Sequence, residues 1–261
     1  MSYTVNASIL LTDLPVNERP AAAKAAGFDA VEFWWPFSSA VPAEQEVDAF
    51  VAAIADVGVQ LTGLNFFAGD MAGGDRGLVS WVGREGEFRD NVEVVVGIGE
   101  RTGTKAFNAL YGLRQDGVDE KAQDDLAVEN LAIAGKAVAR IGGIVLLEPV
   151  SGADAYPLKT ADDALAVIAR VKDEHGVDNV RLLADFYHLA VNGDDVAAVI
   201  AEHAGEFGHV QVADAPGRGE PGSGELPLTE WIDAARAGGY TGPIGLEYKA
   251  TQADPFAWTK N

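Results

Sequence analysis

Eight short apolar runs of strand character alternate along the whole chain with seven helical patterns. The strand-like segments are Tyr3 to Ile9, Ala30 to Phe33, Gln60 to Asn65 and Lys105 to Leu110, then one ending at Glu148, one ending at Asp185, one containing Gln211 and one ending at Glu247. Helical spacing of apolar residues runs over Arg19 to Ala26, Val47 to Val57, Phe88 to Thr102, Asp119 to Ile141, Ala161 to His175, Asp194 to Ala204 and Leu228 to Ala237. Strands that alternate with helices build a parallel sheet, because each crossover returns the chain to the same end. Eight such strands favour a closed (β/α)8 TIM barrel of the α/β class. A doubly wound open sheet is the alternative, and it is weakened by the lack of a Gly-rich phosphate fingerprint after the first strand. At 261 residues and without a linker-like segment, the chain reads as a single TIM-barrel domain over residues 1–261.

Four of the later runs stop at a side-chain oxygen: Ile144 to Glu148, Val180 to Asp185, His209 to Gln211 and Pro243 to Glu247. A buried charge is costly unless it is paired or bound to metal, so carboxylates closing apolar strands are not there for packing. In a parallel barrel all four ends open on one face, the face that carries active sites. Glu148, Asp185, Gln211 and Glu247 are hard oxygen donors, suited to Mg²⁺ or Mn²⁺ better than to zinc. Glu148 and Glu247 across a barrel mouth are also a candidate pair for passing a proton between adjacent carbons. Taken singly, each acid could instead cap a helix or pair with Arg or Lys; four coinciding ends weigh against that.

Asp185-Phe186-Tyr187-His188 places His188 three residues from an acid, where one side chain can hold metal and the other reach substrate. Arg218, in the Gly-rich loop after the seventh strand, is a candidate for gripping a substrate carboxylate through its forked donors. Lys249, two residues beyond Glu247, is a second candidate cation. The Gly- and Asp-rich stretch from Phe66 to Glu87 reads as a long loop, and Asn65 to Arg76 within it as a lid. Trp34, Trp35 and Phe66 are candidates for an apolar wall. His175, His203 and His209 form no ligand pattern; His209 shares a strand face with Gln211.

The formal charge, 19 basic against 40 acidic residues, is −21. That field repels polyanions, so neither nucleic acid nor an anionic membrane is an expected partner. The chain has no cysteine, which excludes disulfides, thiolate metal sites and a cysteine nucleophile. No signal peptide and no membrane-spanning apolar run is visible, so a cytoplasmic protein is expected. Oligomeric state is left open, a homo-oligomer included.

The motifs Ala68-Gly69-Asp70, Gly83 to Asp90, Glu148-Pro149, Asp185 to His188, His209 to Asp214 running into Arg218 to Gly222, and Glu247-Tyr248-Lys249 together resemble the hydroxypyruvate isomerase family of the xylose-isomerase-like barrels, nearly end to end. The resemblance implies a divalent metal, Mg²⁺ or Mn²⁺, held by Glu148, Asp185, Gln211 and Glu247, with Glu148 and Glu247 as the acid/base pair. It implies interconversion of hydroxypyruvate and 2-hydroxy-3-oxopropanoate (tartronate semialdehyde) through an enediolate, on a small 2-oxo/3-hydroxy acid. His188, Arg218 and Lys249 are then the candidates for binding substrate. The chain departs from the family pattern at Gly217, where His is expected, at Ala250, where Pro is expected, and in a lid lacking the usual proline. These positions lie near the substrate, so hydroxypyruvate and 2-dehydrotetronate both stay open. A nuclease of the endonuclease-IV type, which needs more histidines and a basic surface, and a non-catalytic sugar-acid-binding barrel are the competing readings.

Overall fold

In the computed structural model, which describes residues 2–260, eight parallel strands close into a barrel in chain order. The strands are β1 (Tyr3–Asn6), β2 (Ala30–Phe33), β3 (Gln60–Asn65), β4 (Ala106–Asn108), β5 (Ile144–Leu147), β6 (Val180–Asp185), β7 (Phe207–Val212) and β8 (Ile244–Leu246). Val5 pairs with Val31 on one side and Leu246 on the other, which closes the ring and rules out the open sheet. The register slips once between β2 and β3, at Val31/Glu32, and once between β6 and β7, at Leu182/Leu183. Irregularities of this kind re-aim side chains near active sites.

Outside the strands lie α1 (Arg19–Ala25), α2 (Glu44–Val57), α3 (Glu85–Thr102), α4 (Glu120–Ala139), α5 (Ala161–His175), α6 (Phe186–Asn192), α7 (Val196–His203) and α8 (Leu228–Ala237). Where local chemistry is strong, the expected bounds coincide with the observed ones. Thr160 and Asp163 cap each other at the start of α5, Thr160 Oγ1 accepting from the Asp163 N–H and Asp163 Oδ2 from the Thr160 N–H. Several expectations shift: β1 ends at Asn6 and not Ile9, β4 covers only Ala106–Asn108 of Lys105 to Leu110, and α2 begins at Glu44 and not Val47. The long loop ends earlier, since α3 begins at Glu85 and not Phe88; β5 and β8 stop one residue short of their glutamates; and the connection after β6 holds two helices where one was expected. The extra helix, α6, starts directly on Asp185, whose Oδ1 accepts from the N–H groups of Tyr187 and His188.

Between barrel and helices, aromatic rings interlock: Phe33 meets Phe50 edge-on, and Phe66 packs against Phe88 and Phe107 with centroids 5.3 and 6.3 Å apart. Phe66 is 1% exposed and belongs to this core, which corrects its expected place in the wall of the site. Inside the barrel, side chains two residues apart share a face. Leu64, Leu146 and Leu183 fill one side below the mouth, while Asn6, Glu32, His209 and Gln211 make the other side polar.

The loop from Phe66 to Arg84 is tied down. Asp75 Oδ2 accepts from the Asp70 N–H and pairs with Arg84, and Asp70 Oδ1 accepts from the Gly73 N–H. Buried Asn91 of α3 accepts from the Phe67 N–H and donates to Ala40 O. Gly77, at φ 113, lies so close to Leu110 that a Cβ there would sit 2.0 Å from the Leu110 carbonyl oxygen. Only glycine fits that crossing.

Candidate active site

Glu148, Asp185, Gln211 and Glu247 all stand at the C-terminal ends of their strands, and all four are 5% exposed or less. Ligand atoms of Glu148, Asp185, His188 and Glu247 lie within 4.8 Å of one another. Three of the four sequence-based donors, Glu148, Asp185 and Glu247, thus converge with His188, each acid anchored by a separate element. Asn108, at the end of β4, donates Nδ2 to Glu148 Oε2 at 2.8 Å. Asp185 gives Oδ1 to the start of α6 and leaves Oδ2 with no hydrogen-bond partner. Gln211 Nε2 donates to Glu247 Oε2 at 2.6 Å and to Glu32 Oε1 at 2.7 Å, and Gln211 Oε1 is also without a partner.

Buried polar atoms are normally satisfied, so two orphaned oxygens in one acidic cluster need an explanation. Four buried carboxyls, Glu148, Asp185 and Glu247 at the mouth and Glu32 beneath it, are set against one guanidinium, Arg218. Burial drives the Glu148 carboxyl well above its ordinary value, and the neighbouring Glu247 and Asp185 add to that. Burial likewise pushes Glu247 up to about 7, against the pull of Arg218. An excess of buried negative charge, with unpartnered hard oxygens, fits a divalent cation.

His188 belongs to the cluster by distance, Nε2 lying 3.7 Å from Asp185 Oδ2 and 3.9 Å from Glu148 Oε1. Its chemistry there is that of a donor. The Ser151 N–H donates to Nδ1 at 3.0 Å, so Nδ1 is the acceptor nitrogen and the hydrogen sits on Nε2. Burial lowers the imidazole to about 4, so it is neutral. A nitrogen that carries a hydrogen offers no lone pair to a metal.

Arg218 pairs with Glu247 Oε1 and lies 3.8 Å from Asp185. Burial alone would lower its guanidinium; Glu247, Asp185 and Glu148 outweigh that and raise it. Its backbone is in the left-handed region, φ 59, held by the Lys249 N–H donating to its carbonyl at 2.7 Å. The ring of Tyr187 lies 5.3 Å from its guanidinium carbon. Arg218 is therefore engaged with the acids, and not the free cation that its place in a Gly-rich loop suggests.

Glu148, Tyr187, His188, Arg218 and Glu247 line a cavity of about 800 Å³, together with Trp34, Met71, Arg76, Lys249 and residues of the loops around them. Arg76 donates Nη1 to Met71 O and Asp75 O, and among the described residues neither it nor Lys249 has a carboxylate partner. Trp34 reaches the wall as expected, whereas Trp35 lines the adjoining hollow with Phe37 and Phe67. Asn6, Glu32, Asn108 and Ser151 were not singled out in the sequence. Glu32 alone carried a usable signal, an acid inside the apolar run Ala30 to Phe33.

No helix among the described residues is long and apolar enough to cross a membrane. The family model described as xylose isomerase-like TIM barrel matches residues 20–261. A putative hydroxypyruvate isomerase of Streptomyces coelicolor is 49% identical over 98% of this chain and 94% of that protein. A 2-oxo-tetronate isomerase of Cupriavidus necator is 32% identical over 99% of this chain and 97% of that one. A solved structure named as an AP endonuclease, family 2, from Brucella melitensis is similar at TM-score 0.88 and 29% identity, covering 99% of this chain and 98% of that one.

Proposed function

The chain belongs to the xylose isomerase-like TIM barrel family and, as a member of its hydroxypyruvate isomerase branch, is an isomerase; we propose that it interconverts hydroxypyruvate and 2-hydroxy-3-oxopropanoate with the help of a divalent metal, Mg²⁺ or Mn²⁺. The observation that carries this reading is the acid cluster itself: two glutamates with raised proton affinity, beside an aspartate and a glutamine whose free oxygens have no partner. Glu148, Asp185, Gln211 and Glu247 would hold the cation. When bound, it would polarise the substrate carbonyl and stabilise the negative charge that develops on deprotonation.

The residues do the rest. One of Glu148 and Glu247 takes the proton from the carbon that bears the hydroxyl, giving an enediolate; the other returns a proton to the adjacent carbon, and the hydroxyl proton passes to the former carbonyl oxygen, so that carbonyl and hydroxyl exchange places. Burial raises both carboxyls and takes Glu247 to about 7, which lets Glu247 hold or release a proton near neutral pH at small cost. His188 Nε2–H and the donors of Arg218 stabilise the enediolate oxygens. Arg76 and Lys249, which have no acid partner among the described residues, receive the substrate carboxylate.

A second reading, isomerisation of 2-oxo-tetronate by the same chemistry, is favoured by the cavity. About 800 Å³ is ample for an acid one carbon longer. A nuclease reading, prompted by the name of the Brucella structure, sits poorly with a net charge of −21 and four histidines in the chain. The experiment is NMR of the purified protein in D₂O with hydroxypyruvate and Mn²⁺ or Mg²⁺, with and without chelator. Chelator-sensitive conversion, with deuterium entering the product, is expected. If neither hydroxypyruvate nor 2-oxo-tetronate is converted, the reading fails.

A further inference from the structure

Glu32 is a buried acid with no place in the reaction just described. It lies on β2 at the register slip, 3% exposed, beneath the mouth. Its Oε2 is 2.7 Å from His209 Nε2; a carboxylate only accepts, so the imidazole carries that hydrogen. Its Oε1 accepts from Gln211 Nε2 at 2.7 Å and from Asn6 Nδ2 at 3.3 Å.

Both amides also donate to Glu247 Oε2, Asn6 at 2.8 Å and Gln211 at 2.6 Å. Each amide nitrogen has two hydrogens, and each spends one on Glu32 and one on Glu247. The Gln211 amide is thus locked. Turned over, it would set its carbonyl oxygen against two carboxylate oxygens, a repulsive arrangement in a buried site. As it stands, Oε1 is left without a partner among the described residues, and Gln211 is the neighbour of Asp185 in the register of β6 and β7.

A neighbouring glycine supports the same arrangement. A Cβ on Gly245 would fall 2.7 Å from Gln211 Cγ, 2.8 Å from Glu32 Oε1 and 3.0 Å from His209 Nε2. β8 has therefore given up a side chain at the point where these three groups meet. Tyr240 Oη, 3.3 Å from His209 Nδ1, donates to Pro243 O and closes the back of the network.

We infer that Glu32, held by His209, is a positioning residue for metal binding: it fixes the Gln211 side chain so that its carbonyl oxygen, and not its amide nitrogen, is the atom offered to the cation. This rests on the reading that the cluster binds a divalent metal. Outer groups that orient metal ligands commonly contribute about 10–100-fold to affinity.

The test is Mn²⁺ titration of chelator-stripped wild-type protein and of Glu32→Gln, read as free Mn²⁺ by EPR, with the melting temperature of each metal-free protein recorded. Glu32→Gln is expected to weaken Mn²⁺ binding by about 10-fold or more. A folded Glu32→Gln protein that binds Mn²⁺ as tightly as wild type overturns the inference. Should the variant not fold, NMR of the wild type decides. The Gln211 side-chain NH₂, assigned by its loss in Gln211→Glu, is expected to exchange with solvent far more slowly than that of exposed Gln60. Exchange as fast as that of Gln60 would equally overturn it. If wild type binds neither Mn²⁺ nor Mg²⁺, the metal reading falls, and the exchange experiment still reports whether the amide is locked.

Discussion

The backbone N–H of Ser151 points at Nδ1 of His188, and the contact decides what the histidine can do. With its hydrogen on Nε2, the ring faces the acid cluster as a donor. His188→Asn should accordingly leave Mn²⁺ affinity within about threefold of wild type, while kcat falls by about 10²-fold, the scale of losing one donor to developing charge. A large loss of Mn²⁺ affinity would make His188 a ligand instead. Isothermal titration alongside steady-state kinetics separates the two.

Glu148→Gln and Glu247→Gln remove the proton-transfer groups while keeping the side chains' shape. Each should lower turnover by about 10²–10⁴-fold, the usual contribution of acid/base groups. Activity within about tenfold of wild type in the Glu247 variant would remove that residue from the proton path.

The raised carboxyls set a pH dependence. Burial lifts Glu148 and takes Glu247 to about 7, from the ordinary 4.5. For a carboxyl raised by folding, the folded state binds its proton more tightly than the unfolded state does. The stability this gives is full below 4.5 and is lost as pH climbs through about 7. Asp185 and Glu32 facing Glu247 reinforce the effect, and Arg218 opposes it. The metal-free protein should therefore melt at progressively lower temperature across that window. A divalent cation needs the charged carboxylates, so its uptake expels protons and its stabilising effect should grow over the same range. Thermal melts with and without Mn²⁺ on both sides of the window check the sign; a larger Mn²⁺ gain at the acidic end would contradict it.

Arg76 is braced by two carbonyls of its own loop and has no acid partner among the described residues. Arg76→Ala should raise KM for hydroxypyruvate by roughly tenfold, about 1.4 kcal/mol. It should leave kcat nearly unchanged, and leave unaltered any turnover of dihydroxyacetone, which has a hydroxymethyl group in place of the carboxylate. An unchanged KM would move carboxylate binding to Lys249 or Arg218.

The barrel was legible because its signal is periodic: runs bounded by Gly and by capping residues recur, and Gln60–Asn65, Ala161–His175 and Leu228–Ala237 fall where the spacing places them. The four strand-end oxygen donors were legible because a polar or acidic side chain closing an apolar run conflicts with packing. α6 was missed since Asp185 reads as a ligand, and a side chain with two oxygens can cap a helix with one and keep the other free. Phe66 was misplaced because a loop aromatic looks the same in sequence whether it faces a cavity or, as here, the rings of Phe88 and Phe107. Arg76 and Ser151 carried no local signal at all. Their relevance comes from loops meeting over the mouth, which no spacing along the chain records.

Gly245 is the position where the structure says most with least. It touches no substrate, donates nothing through a side chain and would escape any search for reactive residue types. Yet one methyl group there would collide with three members of the network under Gln211. An engineer redesigning this barrel for another metal should treat that vacancy as part of the inheritance. The cheapest way to retune the site is to refill Gly245 and shorten a facing side chain together, and the surest way to lose it is to do one without the other.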